Sequence, residues 1–189
     1  MSMINAASRY SYTYSERQFY QDCEISGTND FTFGDVAVLL QNCTIITKKP
    51  LSNQKNVITA QGRHLFDRES GISIQNCNII PSANLWEVKD RIPTYLVRHG
   101  VISRGQESRI GDHITLEGWL EWNGSFALDT LYYGEYMNRG PGANTSRSVK
   151  WPGYWVITSP DEALNFTVGH LIQGGKWLNS SEVNYTIGL

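Results

Sequence analysis

A five-residue pattern returns three times along this chain: Gln21-Asp22-Cys23-Glu24-Ile25, Gln41-Asn42-Cys43-Thr44-Ile45 and Gln75-Asn76-Cys77-Asn78-Ile79. A unit that recurs every few tens of residues is the mark of a solenoid, in which each coil adds a short strand to a shared parallel sheet. The cysteines lie 20 and then 34 positions apart, which fits one plain coil and one carrying an excursion through Lys48 to Asn56. Alternation along each strand puts Cys and Ile on one face and the polar residues on the other. The cysteines are therefore expected as small apolar plugs stacked in the interior, because a buried free Cys behaves as a small hydrophobe. Asp22, Asn42 and Asn76 fall in one register and are expected to form a hydrogen-bonded ladder.

Helix is sparse in this reading. The exception lies near the C-terminus, where Ser159 can cap, Pro160 suits the first helical position, and Asp161 and Glu162 suit the positive helix end. Ala163, Phe166 and Leu171 would face inward and Gly174-Gly175 would stop the helix, which is expected to pack across the sheet or close the end of the solenoid.

The charge balance, 16 Lys+Arg against 18 Asp+Glu, gives a net charge of -2 and no broad field for gripping nucleic acid or a membrane surface. No stretch approaches the roughly 20 apolar residues of a membrane helix. Met1 to Gln18 is polar and tyrosine-rich, without the apolar run of a signal peptide. Six N-x-Ser/Thr sequons, at Asn42, Asn123, Asn144, Asn165, Asn179 and Asn184, favour a secretory, glycoprotein ancestry. Three cysteines form no disulfide framework or zinc knuckle, and His64, His99, His113 and His170 share no ligand spacing, so neither metal nor cofactor is expected.

Several blocks resemble plant pectin methylesterases in residues, order and spacing. These are Gln18-Phe19-Tyr20, Gly27-Thr28-Asn29-Asp30-Phe31-Thr32-Phe33-Gly34, Gln41-Asn42-Cys43, Ile58-Thr59-Ala60-Gln61-Gly62-Arg63, Gly118-Trp119-Leu120-Glu121-Trp122, Leu131-Tyr132-Tyr133-Gly134-Glu135-Tyr136, Gly140-Pro141-Gly142-Ala143 and Val149-Lys150-Trp151-Pro152-Gly153-Tyr154. The similarity runs from about Gln18 to Leu178. It implies an all-β fold, a right-handed parallel β-helix of the pectin lyase-like kind with a short C-terminal helix. It also implies metal-free hydrolysis of the methyl esters of cell-wall homogalacturonan, pectin as ligand, a secreted cell-wall setting, and a pectinesterase inhibitor protein as possible partner. Residues 1–189 are read as one catalytic domain lacking its N-terminal coils.

Under this resemblance Asp30 matches the nucleophile, since a carboxylate attacks an ester carbonyl when it is ionised, held and partly stripped of water. Phe31 and Phe33 are candidates for excluding that water; Asn29 and Thr32 stand where the family prefers apolar side chains. Arg98 matches the arginine that pairs with the nucleophile, a guanidinium fork being suited to hold both carboxylate oxygens. Its neighbours depart from the family's Leu-Gly-Arg-Pro-Trp block: Val97, His99 and Gly100 replace Gly, Pro and Trp. Trp119 falls where another substrate-facing aromatic is expected, and a core Trp is the equal alternative.

The family's Gln-Asp pair, which supplies an oxyanion contact and the proton donor, counts back onto Ser8 and Arg9. Arginine cannot protonate a departing methoxide at working pH, and loss of a general acid costs about 10² to 10⁴ in rate. Tyr10, Tyr12 and Tyr14 are poor substitutes with an ordinary pKa of about 10. A catalytically silent homologue that binds pectin or a protein partner therefore stands as the alternative to an esterase. A pectate lyase or polygalacturonase fits less well, because no calcium-type Asp cluster or close Asp pair occurs. Absent coils would leave an unpaired strand edge, so the chain is expected to be poorly soluble unless capped; a monodisperse monomer in light scattering would contradict this.

Overall fold

The computed structural model describes residues 3–5, 12–13, 17–35, 37–61, 70–98, 102–126 and 128–189. Its strands follow a three-beat rhythm. After β1 (Met3–Asn5) and β2 (Tyr12–Thr13), the coils run β3 (Arg17–Gln21), β4 (Glu24–Gly27), β5 (Asn29–Gly34); then β6 (Ala37–Gln41), β7 (Thr44–Thr47), β8 (Asn56–Gln61). There follow β9 (Gly71–Gln75), β10 (Asn78–Pro81), β11 (Thr94–Arg98); then β12 (Ile102–Gln106), β13 (Arg109–Ile110), β14 (Trp119–Leu120); and finally β15 (Tyr132–Tyr136) and β16 (Tyr154–Val156). Through β15 every third strand joins the same sheet, and β16 adds directly beside β15, giving the orders β1-β4-β7-β10-β13, β2-β5-β8-β11-β14 and β3-β6-β9-β12-β15-β16. The described pairings are parallel, so the chain is the parallel β-helix that the repeat implies.

The repeated pattern is the corner between two of these sheets. Gln21, Gln41 and Gln75 end successive strands in register, and Gln106 and Tyr136 continue the row. The next residue in each coil, Asp22, Asn42, Asn76, Glu107 and Met137, adopts left-handed backbone with φ of 53, 55, 50, 50 and 49°. Asp and Asn tolerate that conformation because their short side chains bond locally, whereas most others lose about 1–2 kcal/mol in it. The repeat thus spans two more coils than the three cysteines reveal.

The position after the corner is a relay across coils. The Cys43 backbone N–H donates to Cys77 Sγ at 3.3 Å, the Cys77 N–H to Ser108 Oγ at 3.0 Å, and the Ser108 N–H to Asn138 Oδ1 at 3.1 Å. Cys23, Cys43 and Cys77 are free and 6%, 1% and 2% exposed, interior plugs as their spacing implies. The ladder expected beside them joins Asn76 Nδ2 to Asn42 Oδ1 at 2.7 Å, and Arg139 donates to Asn76 Oδ1 at 3.1 Å.

Inside the coils Ile25, Ile45, Ile79 and Ile110 stack in register and pack with Val38, Leu40, Ile72 and Ile74. Each such side chain contributes roughly 1.5–3 kcal/mol on burial. Toward the last coils the filling turns aromatic, with Trp119 stacked on Tyr133 at 4.5 Å between centroids.

The alternate residues of β6 point outward, yet they are covered. Ala37 and Leu39 meet Val168, Leu171, Ile172 and Leu178 of the C-terminal segment. Gln41 takes Thr186 as a strand would, accepting its N–H at 2.8 Å and donating to its C=O at 2.9 Å, while Gln75 donates to the Gly188 C=O at 2.7 Å. The helix expected in this segment starts at Pro160 but ends at Leu164, well before Gly174, and the Ser159 side chain makes no capping bond. Past its end the Thr167 side chain bonds locally, Oγ1 donating to the Leu164 carbonyl at 2.7 Å, and Phe166 stacks on the distant Tyr132. A second short helix, Ala83–Trp86, is capped by Ser82. Among the described residues no helix is long and apolar enough to cross a membrane.

Two stability predictions follow from these positions. Glu107→Asn and Met137→Asn should each stabilise the chain by about 0.5–1 kcal/mol in urea unfolding, because Asn relieves the left-handed strain; unchanged midpoints would refute the corner argument. His113 is 4% exposed, and both ring nitrogens lack hydrogen-bond partners among the described residues. Burial lowers its pKa to about 4, with Lys89 adding to the effect and Asp112 opposing it. The folded value lies below the ordinary 6.5, so the unfolded chain binds the extra proton and stability falls as pH drops from 6.5 toward 4, by up to about 3 kcal/mol. His113→Leu should flatten that loss in pH-dependent unfolding.

Candidate active site

Asp30 owes its exposure to a local irregularity. The register between β5 and β8 shifts between Asn29 and Thr32, and Asp30 itself sits at φ 50°. A bulge of this kind turns one side chain out of the alternation. Phe31, next to it, plunges into the core at 4% exposure and lies so close to Gly27 that a Cβ there would overlap its ring. The glycine of the Gly27-Thr28-Asn29-Asp30 block therefore makes room for the aromatic anchor of the bulge. Phe31 is thus a core residue, while Phe33 is half-buried.

Arg98 closes β11, which is separated from β5 by β8. Two strand spacings amount to about 9.6 Å, a gap that a long side chain can bridge. The intervening strand is low there: Val97 is level with Thr59, and Ala60 follows. Arg98 Nη2 accordingly donates to Asp30 Oδ2, forming an ion pair in which the two side chains are 25% and 23% exposed. Asp30 Oδ1 is buried and has no hydrogen-bond partner among the described residues.

Burial raises the Asp30 pKa above the ordinary carboxylate value, and the Arg98 charge and hydrogen bond oppose that rise. The site thus holds a carboxylate that is oriented through one oxygen, without a partner among the described residues at the other, and less strongly solvated than a surface Asp. Such a group is a usable nucleophile.

Trp119 does not join this pair. It is 2% exposed, packed in the interior against Tyr133 and Tyr154, with Nε1 donating to Glu135 Oε1 at 3.2 Å. The sugar-facing role expected of it is corrected to a core role, because no face of the ring reaches solvent. Glu135 is itself buried, accepting from Tyr154 at 3.0 Å and Asn138 at 3.1 Å as well; burial raises its pKa and these donors oppose the rise. The aromatic at the ion pair is Trp122, which the sequence reading passed over. Its ring lies 4.7 Å from the Arg98 guanidinium carbon and is 55% exposed. The signal was its place three residues beyond Trp119, past the end of β14, where strand burial no longer applies.

Ser8, Arg9, Tyr10, Tyr14, His64, His99 and Gly100 lie outside the described residues, and Tyr12 enters only through the backbone of β2. No group of three or more His, Cys, Asp or Glu side chains among the described residues is placed to hold a metal ion.

Comparison with known proteins agrees with this geometry. The Pectinesterase family profile matches residues 3–175. Pectinesterase 3 of Solanum lycopersicum is 51% identical over 192 aligned positions that cover 98% of this chain and 35% of that protein. The pectinesterase/pectinesterase inhibitor of Ficus pumila var. awkeotsang is 53% identical over 98% of this chain and 35% of its own length. The chain therefore spans about a third of the curated relatives it matches. Pectin methylesterase from carrot superposes with a TM-score of 0.91 at 45% identity, over 95% of this chain and 59% of the carrot chain. With its Asp30–Arg98 pair carried on a parallel β-helix of matching shape, the chain belongs to the pectinesterase family.

Proposed function

We propose that this chain carries an aspartyl esterase site that removes methyl esters from homogalacturonan, converting pectin and water to pectate and methanol. The observation that carries this reading is the half-buried Asp30 carboxylate held by Arg98, its second oxygen without a partner among the described residues. In the proposed reaction an Asp30 oxygen adds to the carbonyl carbon of the methyl ester. The tetrahedral adduct collapses with loss of methoxide, which takes a proton from solvent water to leave as methanol, and leaves an anhydride between Asp30 and the uronate, whose later hydrolysis returns protons to solvent. Water then adds to that anhydride, restoring Asp30 and releasing the galacturonate carboxylate. Arg98 keeps the nucleophile ionised and aimed, a role suited to a fixed guanidinium fork.

Pectin is the polymer we propose as substrate, in a cell-wall setting. The compound name of the Ficus relative supports a pectinesterase inhibitor protein as a partner. The departing methoxide needs an acid, and the position that aligns with the family's donor is Arg9; this favours a pectin-binding homologue without turnover as the second reading.

Methanol release from methylated pectin separates the two. An esterase gives release that Asp30→Ala abolishes, whereas release no greater than that of Asp30→Ala leaves only the binding reading. Arg98→Leu should cut the rate by about 10² to 10³, as loss of a preorganised charge contact does. Because only the ionised carboxylate attacks, the rate should rise with pH through a value above the ordinary aspartate pKa. In Arg98→Leu that limb should move to still higher pH, since the opposing charge is gone; a limb that stays in place would show that Arg98 does not act on Asp30.

A further inference from the structure

We propose that Asn123 is an N-glycan acceptor and that the attached sugar chain shelters the two exposed aromatic rings that flank it. The inference is independent of the esterase reading, since it concerns the finish of the surface rather than the chemistry of Asp30. An asparagine carries a glycan in a folded protein only where a bulky polar group fits, which means an exposed loop.

Most of the six sequons have their groups committed elsewhere. Asn42 Oδ1 accepts from Asn76 Nδ2 at 2.7 Å in the corner ladder, so a sugar on its nitrogen would stand among corners about 4.8 Å apart. Thr167, the hydroxyl residue of the Asn165 sequon, is fully buried with Oγ1 bonded to the Leu164 carbonyl. Asn179 uses both amide atoms, donating to the Gly175 carbonyl at 2.8 Å and accepting from the Tyr185 hydroxyl. Asn144 caps a short turn by accepting the Ser146 N–H at 2.9 Å, and Thr186 of the Asn184 sequon is gripped by Gln41.

Asn123 differs. Asn123-Gly124-Ser125 is the tip of a turn beyond β14, closed by the Phe126 N–H donating to the Asn123 carbonyl at 3.1 Å, with Gly124 at φ 55°. Residues 121–126 are exposed throughout, and the Asn123 amide makes no hydrogen bond among the described residues. On either side stand Trp122 and Phe126, 55% and 59% exposed. Exposed rings gain by being covered, and the apolar face of a sugar ring packs on an aromatic plane. The modification is a substitution at the anomeric carbon of a polyprenyl diphosphate oligosaccharide. Asn123 Nδ2 bonds to that carbon, the diphosphate leaves with the electron pair of the broken carbon–oxygen bond, and one amide proton passes to a base of the transferase. The hydrogen bond that closes the turn is untouched.

The test directs the full chain to the secretory pathway of a plant cell by a cleaved leader, as wild type, Ser125→Ala and Trp122→Ala. Ser125→Ala destroys the acceptor motif while leaving Asn123 in place. Glycans are released by an amidase in heavy-oxygen water, which turns each carrier asparagine into labelled aspartate, and peptides are read by mass spectrometry. Asn123 should carry label in most wild-type molecules and in none of Ser125→Ala; an unlabelled Asn123 in wild type would overturn the proposal. Ser125→Ala should also lower the thermal midpoint by about 2–4 °C, the shift that one stacking contact gives a chain of this length. In the Trp122→Ala background the same substitution should cost less than half as much, and an equal loss in both backgrounds would show that the sugar does not shelter the ring. Translation with microsomal membranes reads attachment without requiring the chain to fold: wild type should exceed Asn123→Gln by the mass of one glycan, and equal masses would again refute the acceptor.

Discussion

The left-handed corner after each glutamine is the constraint from which the remaining geometry follows. Parallel strands in a solenoid have no tight hairpin to set their register, so a one-residue slip would turn every interior side chain outward. Here a single residue near φ 50° ends one sheet and starts the next at the same height in coil after coil. The relay of backbone N–H groups onto the side chains of Cys77, Ser108 and Asn138 then ties four of the five corners to one another. With corners aligned, the isoleucine stack fills the interior.

Register is also what brings the site together. Asp30 and Arg98 are 68 positions apart in the chain yet two strands apart on one sheet. Neither belongs to the regular packing: Asp30 sits on a bulge anchored by Phe31, and Arg98 ends its strand. The energy that holds them in place is the burial of their neighbours, which leaves the pair itself free to be partly dehydrated and chemically useful. Trp122 follows the same logic, because β14 before it is fixed while its own ring is exposed.

Most of the architecture was legible in advance because a repeat is a local signal. Cys23, Cys43 and Cys77 mark three coils by eye, and their burial follows from alternation. Two further corners escaped notice because Glu107 and Met137 carry no turn signature; they adopt left-handed backbone only because the neighbouring coils impose it. The C-terminal helix was legible at its start, where Ser159 and Pro160 act locally, and misread at its end, where Phe166 and Leu171 respond to surfaces contributed from elsewhere. At the site, Asp30 and Arg98 could be named from their blocks. Trp119 was named for the site and Trp122 was not, since both occupy one short aromatic segment and only depth in the fold separates them.

By itself the sequence determined the coil repeat and its interior cysteines and isoleucines, because these depend on residue type and on spacing along the chain, whereas the two charged groups of the proposed site were named from the blocks that resemble the family. Tertiary structure alone decided that Arg98 reaches Asp30 across the low strand between them, that Trp119 is sealed in the core while Trp122 lies against the guanidinium, and that Gln41 and Gln75 grip the C-terminal segment. Those outcomes turn on which coil faces lie side by side, a relation between distant positions that no local pattern encodes.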